Sequence, residues 1–234
     1  MSALAFAAAA AAGNLMGALA VVRRLERSLQ AIDVGIAFSA GFMLAVALLG
    51  VLPEVFGHGD AAAAWVLAGY LGVHVAQHVL APHFHFGEET HRVSALAGLS
   101  ALFGLAVHTF FDGVAIATGF LVSARLGILL SLAVLLHKLP EGVTVASLMV
   151  AGGQGRRGAV GAAAVVGLAT VLGVLLTDAV APLARHGLAL SAGVTLYVAA
   201  SELVPAFQSR RRSVATVAFV GGVVAFLLAN RLIG

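Results

Sequence analysis

The most constraining feature of the sequence is its succession of long apolar runs, separated by short segments that carry most of the charge. Hydrophobic residues make up 61% of the chain and charged residues 10%, which leaves too few polar side chains to cover a soluble globule. Splitting the runs at charges, prolines and glycine clusters gives eight segments of about 20 residues, the length that a hydrocarbon core of about 30 Å requires. The sequence therefore predicts an all-α membrane protein.

We place the eight transmembrane helices, numbered as spans 1 to 8, in a single domain over 1–234. They lie near 2–22, 33–54, 61–81, 93–121, 126–150, 157–181, 187–207 and 213–233. The first run is expected to be a retained helix, because basic residues follow it and none precedes it. The absence of cysteine excludes disulfides and thiolate metal ligands.

The arginines indicate how the chain crosses the membrane. Alternating the loops puts nine arginines on one side and three on the other, and the positive-inside rule makes the first side cytoplasmic. Both termini are then outside, in a multi-pass protein of the plasma or inner membrane, and the histidine-containing loop 82–92 is cytoplasmic. The basic balance reflects orientation in the lipid bilayer, so no nucleic-acid partner is expected.

Two matching stretches indicate an internal repeat. The triplet "SAG" occurs at 39–41 in span 2 and at 191–193 in span 7, and a proline follows the glycine after twelve residues in both, at Pro53 and Pro205. The two spans run in opposite directions, as in the inverted repeats of secondary transporters. We therefore predict that spans 1–3 and 6–8 are repeats arranged around spans 4 and 5, although coincidence among common membrane residues would explain the match equally well.

Spans 4 and 5 carry the residues with the clearest chemistry. "HTFFDGV" begins at His108 and "HKLPEGV" at His137, so each span has a histidine followed four residues later by an acid, Asp112 or Glu141. Residues four apart share a helix face. Counted from the short loop near Ala124, His108 is level with Glu141 and Asp112 is level with His137, near the middle of the membrane.

Such a set of imidazoles and carboxylates favours a divalent transition metal, namely Zn²⁺, Fe²⁺, Co²⁺ or Mn²⁺. Glu202 in span 7 is a further candidate carboxylate, and Pro140 should free the carbonyl of Leu136. The alternative is structural: buried ion pairs between Lys138 and either Glu141 or Glu202 would also hold helices together.

The two motifs resemble those of the Zrt/Irt-like (ZIP) metal transporters, of prokaryotic type, and the likeness extends to "TLYVAASELVP" in span 7. The resemblance implies eight helices with outside termini, and alternating access in which spans 1, 4, 5 and 6 move. It also implies a metal site at His108, Asp112, His137 and Glu141, with Met43 as a further ligand position and Glu202 at a neighbouring second site. Met43 fits the apolar core equally well.

The chain departs from the family pattern at two second-site positions, where Thr109 replaces an asparagine and Lys138 replaces an acid or amide. Asp112, Glu141 and Glu202 carry −3 and Lys138 carries +1, so one divalent ion gives a total of zero whereas two leave +2. We therefore expect one metal per site, with the Lys138 ammonium in place of a second ion.

Five further histidines are candidates for an exit route toward the cytoplasm. They are His74 and His78 in span 3, and His83, His85 and His91 in the loop that follows. Packed, hydrogen-bonded histidines would explain the first pair equally well, and a solvated linker would explain the loop.

Together these features predict a transporter, not an enzyme, that imports a divalent metal into the cytoplasm. The metal is expected to be Zn²⁺, with Fe²⁺, Mn²⁺, Co²⁺ and Cd²⁺ as alternatives, and protons should compete for the ligands at low pH. The rival readings are a membrane-embedded zinc hydrolase that uses the same ligands and a metal-sensing or structural protein. A homodimer is considered as a partner arrangement, but the sequence does not determine the oligomeric state.

Overall fold

The computed structural model describes residues 2–23, 29–57, 61–78, 95–208 and 212–233, and within these ranges the fold is helical. Five of the eight spans are single helices within the described ranges, and span 8 is described from Arg212. In chain order, spans 1, 3, 4, 5, 6 and 8 are Ala3–Val22, Ala62–His78, Ala95–Val122, Ala124–Ala151, Arg156–Ala179 and Arg212–Leu232. Spans 2 and 7 are compound helices. The prediction of an all-α membrane fold is confirmed.

Spans 2 and 7 each contain one wide π-helical turn. Span 2 consists of Leu29–Ala45, the π-helical segment Val46–Val51 and Leu52–Phe56. Span 7 consists of Ala181–Tyr197, the π-helical segment Val198–Leu203 and Val204–Gln208. In both spans the wide turn begins five residues after the glycine of "SAG" and ends two residues before a proline. A proline lacks the backbone N–H that a regular turn would use, so a distorted turn beside it is expected.

Length and apolar character decide which helices can cross a membrane. Seven of the described helical segments are at least 18 residues long and apolar enough to do so. The span 3 helix has 17 described residues and falls just short of that length. The described part of the chain is therefore a multi-pass arrangement.

Glycines allow spans 1, 4, 5 and 6 to pack with their backbones in contact. A Cβ atom on Gly142 would overlap the backbone carbonyl of Asn14, where span 5 crosses span 1, and one on Gly17 would overlap the carbonyl of Leu139. Between spans 4 and 6, a Cβ on Gly113 or Gly173 would likewise overlap a backbone carbonyl of the other helix. We call these four spans the site bundle.

Spans 2, 3, 7 and 8 form a second group in the same way, which we call the frame bundle. Gly41 and Gly222 let spans 2 and 8 cross at backbone contact, and Gly69 and Gly193 do so for spans 3 and 7. Exchanging spans 1–3 with spans 6–8, and span 4 with span 5, maps each of these crossings onto another one. The inverted repeat stays a prediction, which this correspondence and the matched π-helical turns support.

Candidate metal centre

A tight connection brings spans 4 and 5 side by side. Span 4 ends at Val122, and Ser123 is extended, with φ −162° and ψ 152°. Its Oγ accepts a hydrogen bond of 3.1 Å from the N–H of Leu126 and so caps the first turn of span 5. Residues that lie the same number of positions before and after Ser123 are therefore at about the same depth in these two antiparallel helices.

The four ligand candidates of spans 4 and 5 converge on one buried point. His108, Asp112, His137 and Glu141 are each at most 2% exposed. One ligand atom from each residue lies within 4.8 Å of the others. Two imidazole nitrogens and two carboxylate oxygens at this spacing could surround a single metal ion without movement of the helices.

Asp112 is at the centre of the cluster. Its Oδ2 lies 3.2 Å from Nε2 of His108 and 3.2 Å from Nε2 of His137. The Nδ1 of His137 is 2.9 Å from the carbonyl of Ala133, one turn earlier in span 5. An imidazole that donates Nδ1–H to this carbonyl presents the Nε2 lone pair to the cluster, which is how protein ligands commonly orient toward a metal.

His108 is not satisfied by hydrogen bonds within the described residues. Neither ring nitrogen makes one of acceptable geometry, although Nε2 lies close to Asp112. Buried polar atoms are usually paired, and leaving one unpaired costs about 1–3 kcal/mol. The unpaired ring nitrogens of His108 therefore fit a site that binds a metal ion entering from outside the protein.

The side chain of Lys138 lies within the cluster itself. Its Nζ is 2.6 Å from Oδ2 of Asp112 and 2.7 Å from Oε2 of Glu141, and the residue is fully buried. Both carboxylates belong to the predicted first site, and the role of this ammonium in place of a second ion stays a prediction. The ammonium therefore neutralises part of the charge that a metal ion would otherwise balance.

A residue that sequence reasoning missed, Asn14 in span 1, completes the surroundings of Glu141. Its Nδ2 lies 3.3 Å from Oε1 of Glu141, and the hydroxyl of Thr109 donates to the same oxygen at 3.0 Å. Asn14 and Thr109 are both fully buried. The available signal was a lone asparagine in an otherwise apolar run of alanine, glycine and leucine.

The carbonyl of Leu136, which Pro140 was expected to free, has a partner from the other bundle. The hydroxyl of Ser39 in span 2 is 2.8 Å from this oxygen and 2.7 Å from the carbonyl of Gly35 in its own helix. Ser39 is the serine of the first "SAG" triplet. The triplet therefore contributes both a close helix crossing, through Gly41, and a polar contact beside the metal-site candidates.

The remaining candidates lie outside the four-residue cluster. The carboxylate oxygens of Glu202 are buried and have no hydrogen bond of acceptable geometry in the described part of the chain, although Gln77 lies beside them and His108 interacts with them electrostatically. Met43 is 1% exposed and packs in the largest apolar cluster.

The rings of His74 and His78 are stacked, with their centroids 4.4 Å apart. Nδ1 of His78 is 3.3 Å from the hydroxyl of Tyr197 in span 7. His83, His85 and His91 lie outside the described residues.

A family model described as "ZIP Zinc transporter" matches residues 85–230, which is more than half of the chain and includes the whole cluster on spans 4 and 5. No curated protein sequence matches the chain.

Proposed function

Because the chain belongs to the ZIP zinc transporter family, which makes it a multi-pass membrane transporter of divalent metal ions, we propose that it imports Zn²⁺ through the cluster on spans 4 and 5. The observation that carries the proposal is that His108, Asp112, His137 and Glu141 offer four buried ligand atoms within 4.8 Å of one another. Family membership also sets aside the rival of a membrane-embedded hydrolase, because these proteins are transporters.

The donor set supports zinc as the substrate. Two imidazole nitrogens and two carboxylate oxygens match the ligands and the coordination number of four that zinc prefers, whereas Mg²⁺ and Ca²⁺ prefer more oxygen ligands. Fe²⁺, Mn²⁺, Co²⁺ and Cd²⁺ are the competitors, because mixed nitrogen and oxygen sites bind them as well. Protons compete for the same lone pairs, so acidic conditions should weaken binding.

We further propose that each site carries one metal ion. Lys138 already supplies one positive charge to Asp112 and Glu141. With Glu202 included, three carboxylates and one ammonium sum to −2, which one divalent ion neutralises. Entry of the metal then requires the ammonium to move away from at least one of the two carboxylate oxygens that it contacts.

The packing supports movement of the site bundle against the frame bundle. The glycine crossings at which a Cβ would overlap a backbone carbonyl of another span lie within one bundle or the other, among the described residues. Among the described residues, polar contacts that join the bundles are local: Ser39 with Leu136, Ser191 with the carbonyl of Phe111, and Arg125 with Asn230. Backbone-to-backbone packing keeps each bundle rigid, and the interface between them can slide at the cost of a few hydrogen bonds.

On the inward side, we propose that Glu202 and then His74 and His78 receive the metal as it leaves. Glu202 has a buried carboxylate without a good hydrogen bond within the described ranges, and the two histidines stack nearby on span 3 beside Tyr197. The loop histidines 83, 85 and 91 would continue this route. The same proposal includes Met43 as a further ligand and termini that lie outside. It also includes a location in the plasma or inner membrane and assembly as a homodimer.

The test is transport and binding by purified protein in liposomes. With a zinc-sensitive dye in the lumen, external Zn²⁺ should produce a signal that Glu141→Gln reduces to the level of protein-free liposomes. Glu54→Gln is the matched control, because it removes one carboxylate from span 2 outside the cluster and should retain uptake. Near-normal uptake by Glu141→Gln would overturn the site, and Fe²⁺, Mn²⁺, Co²⁺ and Cd²⁺ measured side by side would rank the substrates.

A further inference from the structure

The two carboxylate oxygens of Glu141 have different partners. Oε2 faces the cluster, 2.7 Å from Nζ of Lys138 and 3.5 Å from Nε2 of His137. Oε1 accepts hydrogen bonds from Thr109 and Asn14 at 3.0 and 3.3 Å. One oxygen is therefore held by neutral donors, and the other is left for a cation.

The backbone fixes the position of both neutral donors. Asn14 sits where span 1 crosses span 5, and its backbone carbonyl lies against Gly142, the residue after Glu141. Thr109 is on span 4, and its single hydroxyl proton can go either to Oε1 of Glu141 or to the carbonyl of Leu105, 2.7 Å away in the preceding turn. The carbonyl already accepts the backbone N–H of Thr109 in the helix, so the proton is better used by the charged carboxylate. Neither side chain has room to turn toward solvent, because both residues are fully buried.

The other polar atom of the Asn14 side chain also indicates that this side chain is positioned for its contact with Glu141. Its Oδ1 is buried and has no hydrogen-bond partner among the described residues. A carboxamide that served general packing would be expected to satisfy both of its polar ends. Here one end is left unpaired while the other bonds to a metal-site carboxylate.

Each carboxylate oxygen has two lone-pair sites, so Oε1, which accepts two hydrogen bonds, has none left, and Glu141 binds a cation through Oε2. Single-oxygen coordination suits zinc, which prefers four ligands in a tetrahedron. Larger or harder cations take more oxygens: Ca²⁺ uses carboxylates through one or both oxygens among six to eight ligands, and Mn²⁺ favours six oxygens in an octahedron. The number of free oxygens on Glu141 therefore bears directly on which cation fits.

From these contacts we propose that Asn14 and Thr109 set the metal selectivity of the site by restricting Glu141 to coordination through Oε2. The inference rests on the proposed function, since it assumes that the cluster binds the transported metal. Removal of either donor returns one lone pair of Oε1 to the site, allows Glu141 to bind through both oxygens, and shifts the metal preference from Zn²⁺ toward Mn²⁺.

The experiment uses the full-length protein in detergent and measures Zn²⁺ and Mn²⁺ binding in competition. Thr109→Val and Asn14→Leu keep the number and branching of the side-chain heavy atoms and remove one donor each. We expect each to lower the Zn²⁺ over Mn²⁺ affinity ratio by about tenfold, the change that corresponds to about 1.4 kcal/mol. Thr109→Ser retains the hydroxyl and should restore the ratio.

Thr118→Val is the matched control, because it is the same substitution at a buried threonine of span 4. The Thr118 hydroxyl donates to the carbonyl of Val114 in its own helix and not to the cluster, so its loss should leave the ratio unchanged. Co²⁺ in place of zinc gives a second readout. Its visible absorption is strong in four-coordinate sites and weak in six-coordinate ones, and it should weaken in Thr109→Val and Asn14→Leu.

The proposal would be overturned if Thr109→Val left both the Zn²⁺ over Mn²⁺ affinity ratio and the Co²⁺ spectrum unchanged. If Asn14→Leu fails to fold, Thr109→Val alone decides the outcome. Equal changes of the Zn²⁺ over Mn²⁺ affinity ratio in Thr118→Val and Thr109→Val would also overturn the proposal. Failure of the proposed function appears differently, as wild-type protein that binds no Zn²⁺ or as Zn²⁺ binding that survives Glu141→Gln.

Discussion

The hydroxyl oxygen of Ser39 lies 2.8 Å from the carbonyl oxygen of Leu136, one residue before His137. Pro140 has no N–H to bond with this carbonyl, so the hydroxyl fills a vacancy in the hydrogen-bond ladder of span 5. Ser39 belongs to the frame bundle and Leu136 to the site bundle. The irregular backbone beside the metal-site candidates is therefore also a point at which the two bundles are joined.

Loss of this contact should destabilise the protein. Ser39→Ala leaves the carbonyl of Leu136 without a donor, which costs about 1–3 kcal/mol for a buried group, and the thermal midpoint in detergent should fall. Ser131→Ala is the control, since the hydroxyl of this buried serine donates within its own helix, to the carbonyl of Gly127. Equal midpoints for the two variants would contradict the role of Ser39 in joining spans 2 and 5.

Replacement of the buried ammonium should make the protein dependent on metal. Lys138→Met leaves the carboxylates of Asp112 and Glu141 close together without a counter-ion, and breaking a buried pair costs about 3–5 kcal/mol. The metal-free variant should melt well below wild type, and Zn²⁺ should raise its melting point more than that of wild type. A metal-induced shift no larger than in wild type would show that Lys138 does not compete with the ion.

Reversal of the charge at position 138 should change the number of metal ions that each chain binds. Lys138→Asp makes the formal charge of the four groups −4, which two divalent ions balance. Elemental analysis of purified protein should then give two Zn²⁺ per chain, against one for wild type. One bound ion in both proteins, or two in both, would contradict the single-metal proposal.

The close crossing of spans 4 and 6 should not tolerate a side chain. A Cβ on Gly173 would overlap the carbonyl of Phe110, so Gly173→Ala should lower the stability by about 1–3 kcal/mol, as overpacking commonly does. Gly161→Ala is matched to it on the same helix and meets nothing within 4 Å. It should be neutral or raise the stability by up to about 1 kcal/mol, because alanine favours the helix over glycine. A similar loss in both variants, measured by thermal melting, would refute the backbone contact.

Much of the molecule follows from local sequence patterns. Apolar runs of sufficient length predict helices that cross the bilayer, and seven of the described helical segments are long and apolar enough to do so. The four-residue spacing from His108 to Asp112 and from His137 to Glu141 places each pair on one face, because the helix turns every 3.6 residues. The lost hydrogen bond at Leu136 follows from the ring of Pro140 alone.

The partners of these groups required the tertiary structure. Lys138 could reach either Glu141 or Glu202 from its sequence position, and only the packing of span 4 against span 5 places Asp112 as its second partner. Asn14 is 127 residues from Glu141 in the chain, and no periodicity within span 1 indicates which helix its carboxamide meets. The distinction between the two bundles likewise depends on which glycines face one another.

The sequence by itself determined the membrane-spanning helices and the residues that share a helix face, because both depend on interactions over one or two turns. The tertiary structure decided which faces meet, and therefore that one oxygen of Glu141 is held by Asn14 and Thr109 while the other faces Lys138. The physical reason is that lipid supplies no preference among apolar helix faces. Their pairing is set by close packing at glycines and by the few buried polar groups that must find partners.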